Sequence, residues 1–316
     1  MTSGTNCFGF VAVRRYLSEI NMKNSVPHYY HCATKGFDHS ILFADSREFI
    51  AGMNRIGICQ ACLAGERPVI IIAFCLMDNH VHFILYGSRE DCLRWMSLYH
   101  RLTMIWQRKH RNGNPVDEAW EYDAWQIYDS EDLKDKIAYV FRNPLVARMG
   151  YVPNGYRWSS APLVFADTAA RLFGGRKIGN LSIYESRKLF ETRAILPKDW
   201  IVLPDNMIWP GCYTEAKRVE KLFGHPRAFL FSLNQNVEAG INQEMYQGSL
   251  SLPDADVIRM AQITAEGLFG TQEISALDLP SRIQLCKVIK KQVGASLKQL
   301  ARIVQISLPD LKKIFG

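Results

Sequence analysis

Apolar and polar positions along this chain change period several times, and each change marks an element. From His28 to Lys35 the run HYYHCATK has the β-branched and aromatic content of a strand, closed by Gly36. Between Ser46 and Cys62, Phe49, Ile50, Met53 and Ile56, with Leu63 just beyond, recur at helical spacing, and Ser46 is the expected N-cap. Pro68 opens VIIIAFCLM, an unbroken apolar run that predicts a strand buried on both faces. The tight turn Met77-Asp78-Asn79 and the run HVHFILY, from His80 to Tyr86 and stopped by Gly87, complete a β-hairpin.

Cys92 to His110 returns to helical spacing through Leu93, Met96, Leu98, Leu102, Ile105 and Trp106, and ends at the loop Asn112-Gly113-Asn114-Pro115. Trp120 to Tyr128 is aromatic and reads as extended. Ser130 is the expected cap of a further helix, with Glu131 and Asp132 suited to its positive end and Leu133, Ile137, Val140 and Phe141 forming an apolar face. Pro144 is expected to stop that helix near Asn143. Strand, helix, hairpin, helix, strand, helix is an α+β order. It predicts a ferredoxin-like sandwich, an antiparallel sheet with helices on one face. Residues 1–27 read as a lead-in, 28–165 as the main domain, 166–250 as a connector without a recognisable motif, and 251–316 as a helical module.

Composition narrows the class. The chain has 316 residues, 48% hydrophobic and 22% charged, which fits a folded protein rather than a disordered one. No run approaches the roughly 18 apolar residues of a membrane span, and Met1 to Val13 lacks the pattern of a signal peptide. Eight scattered cysteines do not make a disulfide scaffold, so a cytoplasmic location is expected.

The net charge of +7 is unevenly placed. The last 36 residues contain eight Lys or Arg and one acid, Asp310, so they hold the whole excess and residues 1 to 280 sum to zero. A basic terminal module on a neutral body points to nucleic acid; a solvated Lys-rich helix is the plainer alternative. Beneath the charge, Ser296 to Phe315 reads SLKQLARIVQISLPDLKKIF. Leu297, Leu300, Ala301 and Val304 form one short face, Ile306-Ser307 the turn with Ser307 as N-cap, and Leu311, Ile314 and Phe315 a second face. With Ile283 to Val293 as a preceding helix, this resembles a helix-turn-helix, although Gln305 stands where Gly is frequent. Lys298, Lys312 and Lys313 are then candidate DNA-binding residues.

Two features could carry chemistry. In a strand, His80 and His82 point to one face about 7 Å apart, close enough to hold one divalent cation or simply to hydrogen-bond locally. Tyr139 and Asn143 lie four apart on one helix and share a face, offering a phenol nucleophile and a carbonyl ligand; packing is the ordinary use of such a tyrosine.

Taken together, MDNHVHFIL and the later IAYVFRNPLVARMGYVPNGYRWSS resemble the tyrosine transposases of the HUH superfamily, and within it the REP-associated group. The stretch HYYHCATKGFDHSILFADSREF matches the family's first strand, turn and helix, and the likeness covers residues 28 to 165. It implies His80, His82 and Asn143 as ligands of Mg²⁺ or Mn²⁺ and Tyr139 as nucleophile. It also implies single-stranded or hairpin DNA as substrate, cleaved and transferred through a 5′-phosphotyrosine, by a monomer or homodimer. Asp78 stands where Pro is common in the family, and Arg148 where Gly is frequent. A transposon-derived DNA-binding regulator that no longer cuts is the alternative, and an HxH metallohydrolase using water is a third, with Asp78 its only nearby acid.

Other residues are weaker candidates. Arg94, Arg101, Arg108, Lys109 and Arg111 could line a DNA backbone or merely face solvent. Trp95, Trp106, Trp120 and Trp125 could stack bases, with core packing expected for most. Tyr128, Tyr151 and Tyr156 rival Tyr139 without a polar partner four residues on, and Cys59 and Cys62 read as two buried thiols.

Overall fold

A computed structural model of the chain describes residues 26–37, 40–65, 69–111, 120–147, 152–167, 172, 174–234, 254–293 and 295–315. The expected lead-in before residue 26, the loop from Asn112 to Pro115, Pro68, Arg148 and Tyr151 lie outside them. The fold is α+β. A four-stranded antiparallel sheet contains β1 (His28–Thr34), β2 (Ile70–Leu76), β3 (Val81–Gly87) and β4 (Tyr122–Ile127), in the order β2-β3-β1-β4. Between the strands run α1 (Ser46–Cys62) and α2 (Arg89–His110), and α3 (Ser130–Val146) follows β4.

Helices cover both faces of the sheet, not one. On one face α1 and α2 bury Met53, Ile56, Trp95 and Tyr99 against Cys32, Phe74, Phe83 and Leu85. On the other, α3 buries Ile137, Val140 and Phe141 against Ile72, Ala73, Cys75 and Ile84. The reason is in β2 and β3: strands apolar at nearly every position need a cover on each side. A bulge between Ile71 and Ala73 lets consecutive residues of β2 serve the second core.

Three local expectations are corrected. Asp45 rather than Ser46 caps α1, accepting from Glu48 N at 2.8 Å. Asp129 rather than Ser130 caps α3, accepting from Glu131 and Asp132 N at 2.9 Å each. In both cases a carboxylate on the extended residue just before the helix is the stronger acceptor. Pro144 does not stop α3, which runs to Val146. Proline leaves the Val140 carbonyl without its helical N–H. The Asn143 amide answers, Nδ2 donating to Tyr139 O at 3.0 Å and to Val140 O at 3.4 Å, and Ala147 N resumes the ladder onto Asn143 O.

The edge of β2 is closed by the later chain. Leu76 N donates to Trp158 O and Ser160 N to Phe74 O, while Ser160 Oγ accepts from Phe74 N at 3.0 Å. Residues 176 to 223 supply β5 (Arg176–Lys177), β6 (Ile201–Val202), α4 (Ile183–Phe190) and α5 (Ala216–Phe223), followed by α6 (Pro226–Asn234). This expected connector is built into the main cores. Phe190, Trp200, Ile208 and Tyr213 join the α1 side, and Val219, Phe223 and Phe229 join the α3 side. Polar groups of α1 receive it: Arg55 Nη1 donates to Phe190 O, and Asn54 Oδ1 accepts from Ile208 N at 2.7 Å.

The helical module comprises α7 (Asp254–Phe269), α8 (Leu279–Val293), α9 (Leu297–Val304) and α10 (Leu308–Phe315) around its own core of Val257, Leu285, Leu300 and Leu311. Gln305, between α9 and α10, takes a left-handed φ of 54°, and Ser307 Oγ accepts from Asp310 N as a cap. Among the described residues, no helix is long and apolar enough to cross a membrane, and the seven described cysteines are free thiols, with Cys62 exposed rather than buried. Because the Gln305 conformation suits glycine, Gln305→Gly is expected to stabilise the module by about 1 kcal/mol. The check is calorimetric melting; a lower melting temperature would count against this account of the turn.

Candidate functional site

The site forms on the α3 face of the sheet. β1 lies between β3 and β4, with Ala33 opposite His82 and His31 opposite Trp125. Strand alternation then sets His31, His82 and Trp125 in a row across one face. His80, just before β3, joins the row, its ring edge-on to His82 at 4.7 Å between centroids. α3 lays Tyr139 over this row, edge-on to His31 at 5.7 Å and to His82 at 5.5 Å. Asn143, one turn on, reaches His80. The structure thus brings His80, His82, Tyr139 and Asn143 together. It adds His31, which the sequence reading used only as part of a strand.

The hydrogen bonds fix ring orientation. His80 Nδ1 faces Asn79 Oδ1 at 2.7 Å, and His80 Nε2 faces Asn143 Oδ1 at 3.4 Å. A neutral imidazole has one N–H, so it can serve only one of two oxygen acceptors. The shorter contact takes the proton and leaves the Nε2 lone pair directed at Asn143 Oδ1. The Asn143 amide cannot simply turn over, because its Nδ2 is occupied by the Tyr139 and Val140 carbonyls. His82 is buried; its Nδ1 lies 3.1 Å from His31 Nε2, and its Nε2 has no hydrogen-bond partner in the protein.

Protonation does not resolve these contacts. Burial pushes His31 down from 6.5 to about 4, helped by the charge of Lys136. Burial likewise pushes His80 from 6.5 to about 4, against the hydrogen bond that a protonated ring would give Asn143, with the Arg302 cation opposing the charge. His82 falls further, through burial and then through His80 and His31. Near neutral pH all three rings are uncharged lone-pair donors. His80 Nε2 and Asn143 Oδ1, lone pair to lone pair, together with the unpartnered His82 Nε2 in the tautomer that keeps its proton on Nδ1, make a donor set that fits a small divalent cation. Among the described residues, no three His, Cys, Asp or Glu side chains form a metal-binding group; the amide of Asn143 is the additional donor here.

Tyr139 is 47% exposed. Trp125, 52% exposed, stands at the β4 end of the row, 5.8 Å from His31. The other tryptophans weighed as base stackers, Trp95, Trp106 and Trp120, are buried. Of the rival tyrosines, Tyr156 is buried with its hydroxyl on Leu76 O, and Tyr128 is exposed beyond the end of β4. Arg94, Arg101, Arg108 and Lys109 are on α2, across the sheet from the histidines. Lys109 pairs there with Glu191, and Arg111 with Glu48. Lys298, Lys312 and Lys313 are exposed on the module. The Asp78 carboxylate is turned to the backbone N of Asp254, at 3.2 Å.

The buried neutral histidines have a pH consequence. In the unfolded chain each takes a proton near pH 6.5, whereas in the folded chain His31 and His80 wait until about 4. Below pH 6.5 the unfolded state therefore binds more protons, and stability falls as pH drops toward 4, by up to about 1.4 kcal/mol per pH unit for each histidine. Urea unfolding in EDTA should show this loss between pH 7 and pH 5, partly offset by the Asp254 carboxyl, which takes up a proton on folding in the same range, and His31→Asn should reduce the slope; an unchanged slope in that variant would mean the ring is not held neutral. Comparison with family models, with curated proteins and with solved structures finds no match for this chain.

Proposed function

We propose that this protein is a metal-dependent single-stranded DNA endonuclease and strand transferase, acting on hairpin or repeat DNA through a 5′-phosphotyrosine on Tyr139. The observation that carries the reading is the meeting of His80 and His82, from a hairpin, with Tyr139 and Asn143, from a later helix, on one sheet face. It is the set named by the resemblance to HUH tyrosine transposases. The sheet order β2-β3-β1-β4, with α1 and α2 on one face, accords with a ferredoxin-like arrangement to which α3 and the later helices are added.

His80, His82 and Asn143 would hold Mg²⁺ or Mn²⁺. Such an ion, when bound, supplies charge neutralisation and polarisation of the phosphodiester. The chain's own residues do the rest. Tyr139 would present its hydroxyl to a scissile phosphate seated above His82. The bond formed joins Tyr139 Oη to phosphorus, and the bond broken joins phosphorus to the 3′ oxygen. That oxygen leaves as a hydroxyl, its proton balancing the one lost by the phenol. The ester conserves the phosphodiester bond energy, so a second DNA 3′-hydroxyl can displace Tyr139 and reseal the strand. The histidines stay neutral throughout and orient one another. Trp125 offers an exposed ring beside the phosphate site on which an unpaired base can stack.

The module is assigned to DNA. α9, the turn at Gln305–Ser307 and α10 accord with a helix-turn-helix, in which the exposed Lys298, Lys312 and Lys313 would meet phosphates.

The test is incubation with labelled single-stranded hairpin DNA from the gene's flanks, with Mg²⁺ or Mn²⁺, followed by a denaturing gel. The expected result is a metal-dependent covalent protein–DNA band that Tyr139→Phe abolishes and His82→Ala reduces at least a hundredfold. Binding without an adduct across a panel of hairpins would replace this reading with that of a silent regulator. Cleavage without an adduct would point to water as the nucleophile.

A further inference from the structure

The departure at Asp78 has a place in the fold. Asp78 and Asn79 are the only residues between Met77 and His80, whose backbones close the hairpin through Met77 N to His80 O at 2.8 Å. Asn79 orients His80 through the 2.7 Å contact to Nδ1, while its Nδ2 is fixed on Phe37 O. Asp78 is buried and held from two directions. Its carbonyl accepts from Leu42 N and Phe43 N, and its carboxylate Oδ2 accepts from Asp254 N, the first residue of α7. Asp254 is itself fully buried. Its Oδ1 accepts from Gln299 Nε2 at 2.9 Å, and its Oδ2 from Arg302 Nε at 2.8 Å and Nη2 at 2.6 Å. Gln299 and Arg302 belong to α9.

In this buried node Arg302 pairs with Asp254, whose backbone N–H meets the Asp78 carboxylate, and such an arrangement costs stability unless every contact is made. Burial, and after it the neighbouring Asp78, raises the Asp254 carboxyl to about 7 in spite of Arg302. Among the described residues, Ile41 is the main-domain residue packed against the module's apolar core. The node places the module's charge at the one turn whose other residue sets the orientation of His80.

We propose that Asp78 is a positioning residue, through which the docked helical module holds the Asp78–Asn79 turn and thereby the Nε2 lone pair of His80. The inference rests on the reading of His80 as a metal ligand, and it makes the module part of the site's construction as well as a DNA-binding element. Release of α7 from Asp78 would free the turn, let the His80 ring exchange tautomers and weaken the ligand set.

The full-length chain tests this with two readouts at pH 7.5: ring ¹⁵N signals of His80, which report its tautomer, and Mn²⁺ affinity from the spin-resonance signal of free Mn²⁺. Asp78→Ala is expected to turn the single Nδ1–H tautomer of His80 into a mixture and to weaken Mn²⁺ binding roughly ten- to hundredfold, the usual cost of losing an orienting partner. Asp78→Asn keeps an oxygen for Asp254 N and should restore both. Lys287→Ala, on the exposed surface of α8, should change neither. Arg302→Met breaks the node from the module's side and should reproduce the tautomer mixture; if it unfolds the module, the Asp78 pair still decides. Wild-type signals in Asp78→Ala, or equal losses in Ala and Asn, would overturn the proposal. If the wild type binds no Mn²⁺, the metal reading fails while the tautomer signal still judges the node.

Discussion

β2 and β3 are buried on both faces and joined by a two-residue turn, which leaves their register no slack. A slip of one residue would send Phe83 and Leu85 to the α3 side and His82 into the apolar core beneath α2. The cost of such an exchange, several buried side chains at about 1.5–3 kcal/mol each, fixes the face on which the histidines stand. β1 is held just as firmly, because it pairs on both sides and carries Cys32 and Tyr30 into the same core. The row His82, His31, Trp125 is therefore the reverse side of a hydrophobic constraint. The polar face is specified by what the apolar face cannot give up.

Placement of the groups opposite that row depends on a single missing hydrogen atom. Pro144 cannot donate to Val140 O, and the Asn143 side chain fills the vacancy. That use of Nδ2 points Oδ1 toward His80, so an Asn-Pro pair in the last turns of a helix both repairs the ladder and aims an amide oxygen at the histidine row. Tyr139, one turn earlier, is left outside the packing that engages Val140 and Phe141. A helix stripe that buried Ile137, Val140 and Phe141 while leaving residue 139 exposed needs no other signal than its period.

This explains which parts were legible in sequence. The strands and the helical faces of α1 to α3 follow from periodicity, and so does the pairing of Tyr139 with Asn143, since spacing of four on a helix is a local fact. Pro144 misled because the rule for proline describes a backbone, whereas a neighbouring side chain supplied the missing donor. His31 was invisible because strand neighbours are chosen by topology. Only the order β3-β1-β4 places it between His82 and Trp125. The one available signal was a histidine at an alternating position of a strand otherwise apolar toward its second core. Residues 176 to 223 looked like a connector because their apolar residues are spread among short elements, with no period long enough to read.

The charge distribution is the remaining piece, and its meaning changes with the structure. Counted along the chain, the basic excess belongs to the last 36 residues and suggests an appendage for nucleic acid. In the fold those residues divide. Lys298, Lys312 and Lys313 face solvent, where long-range attraction to a phosphate backbone is available. Arg302 turns inward to Asp254, and its cation is close enough to oppose protonation of His80. A buried cation near a histidine pair favours the neutral rings. The same basic module thus contributes an outer surface and an inner charge. The inner charge depends on one carboxylate, Asp254, seated on the turn that leads into His80.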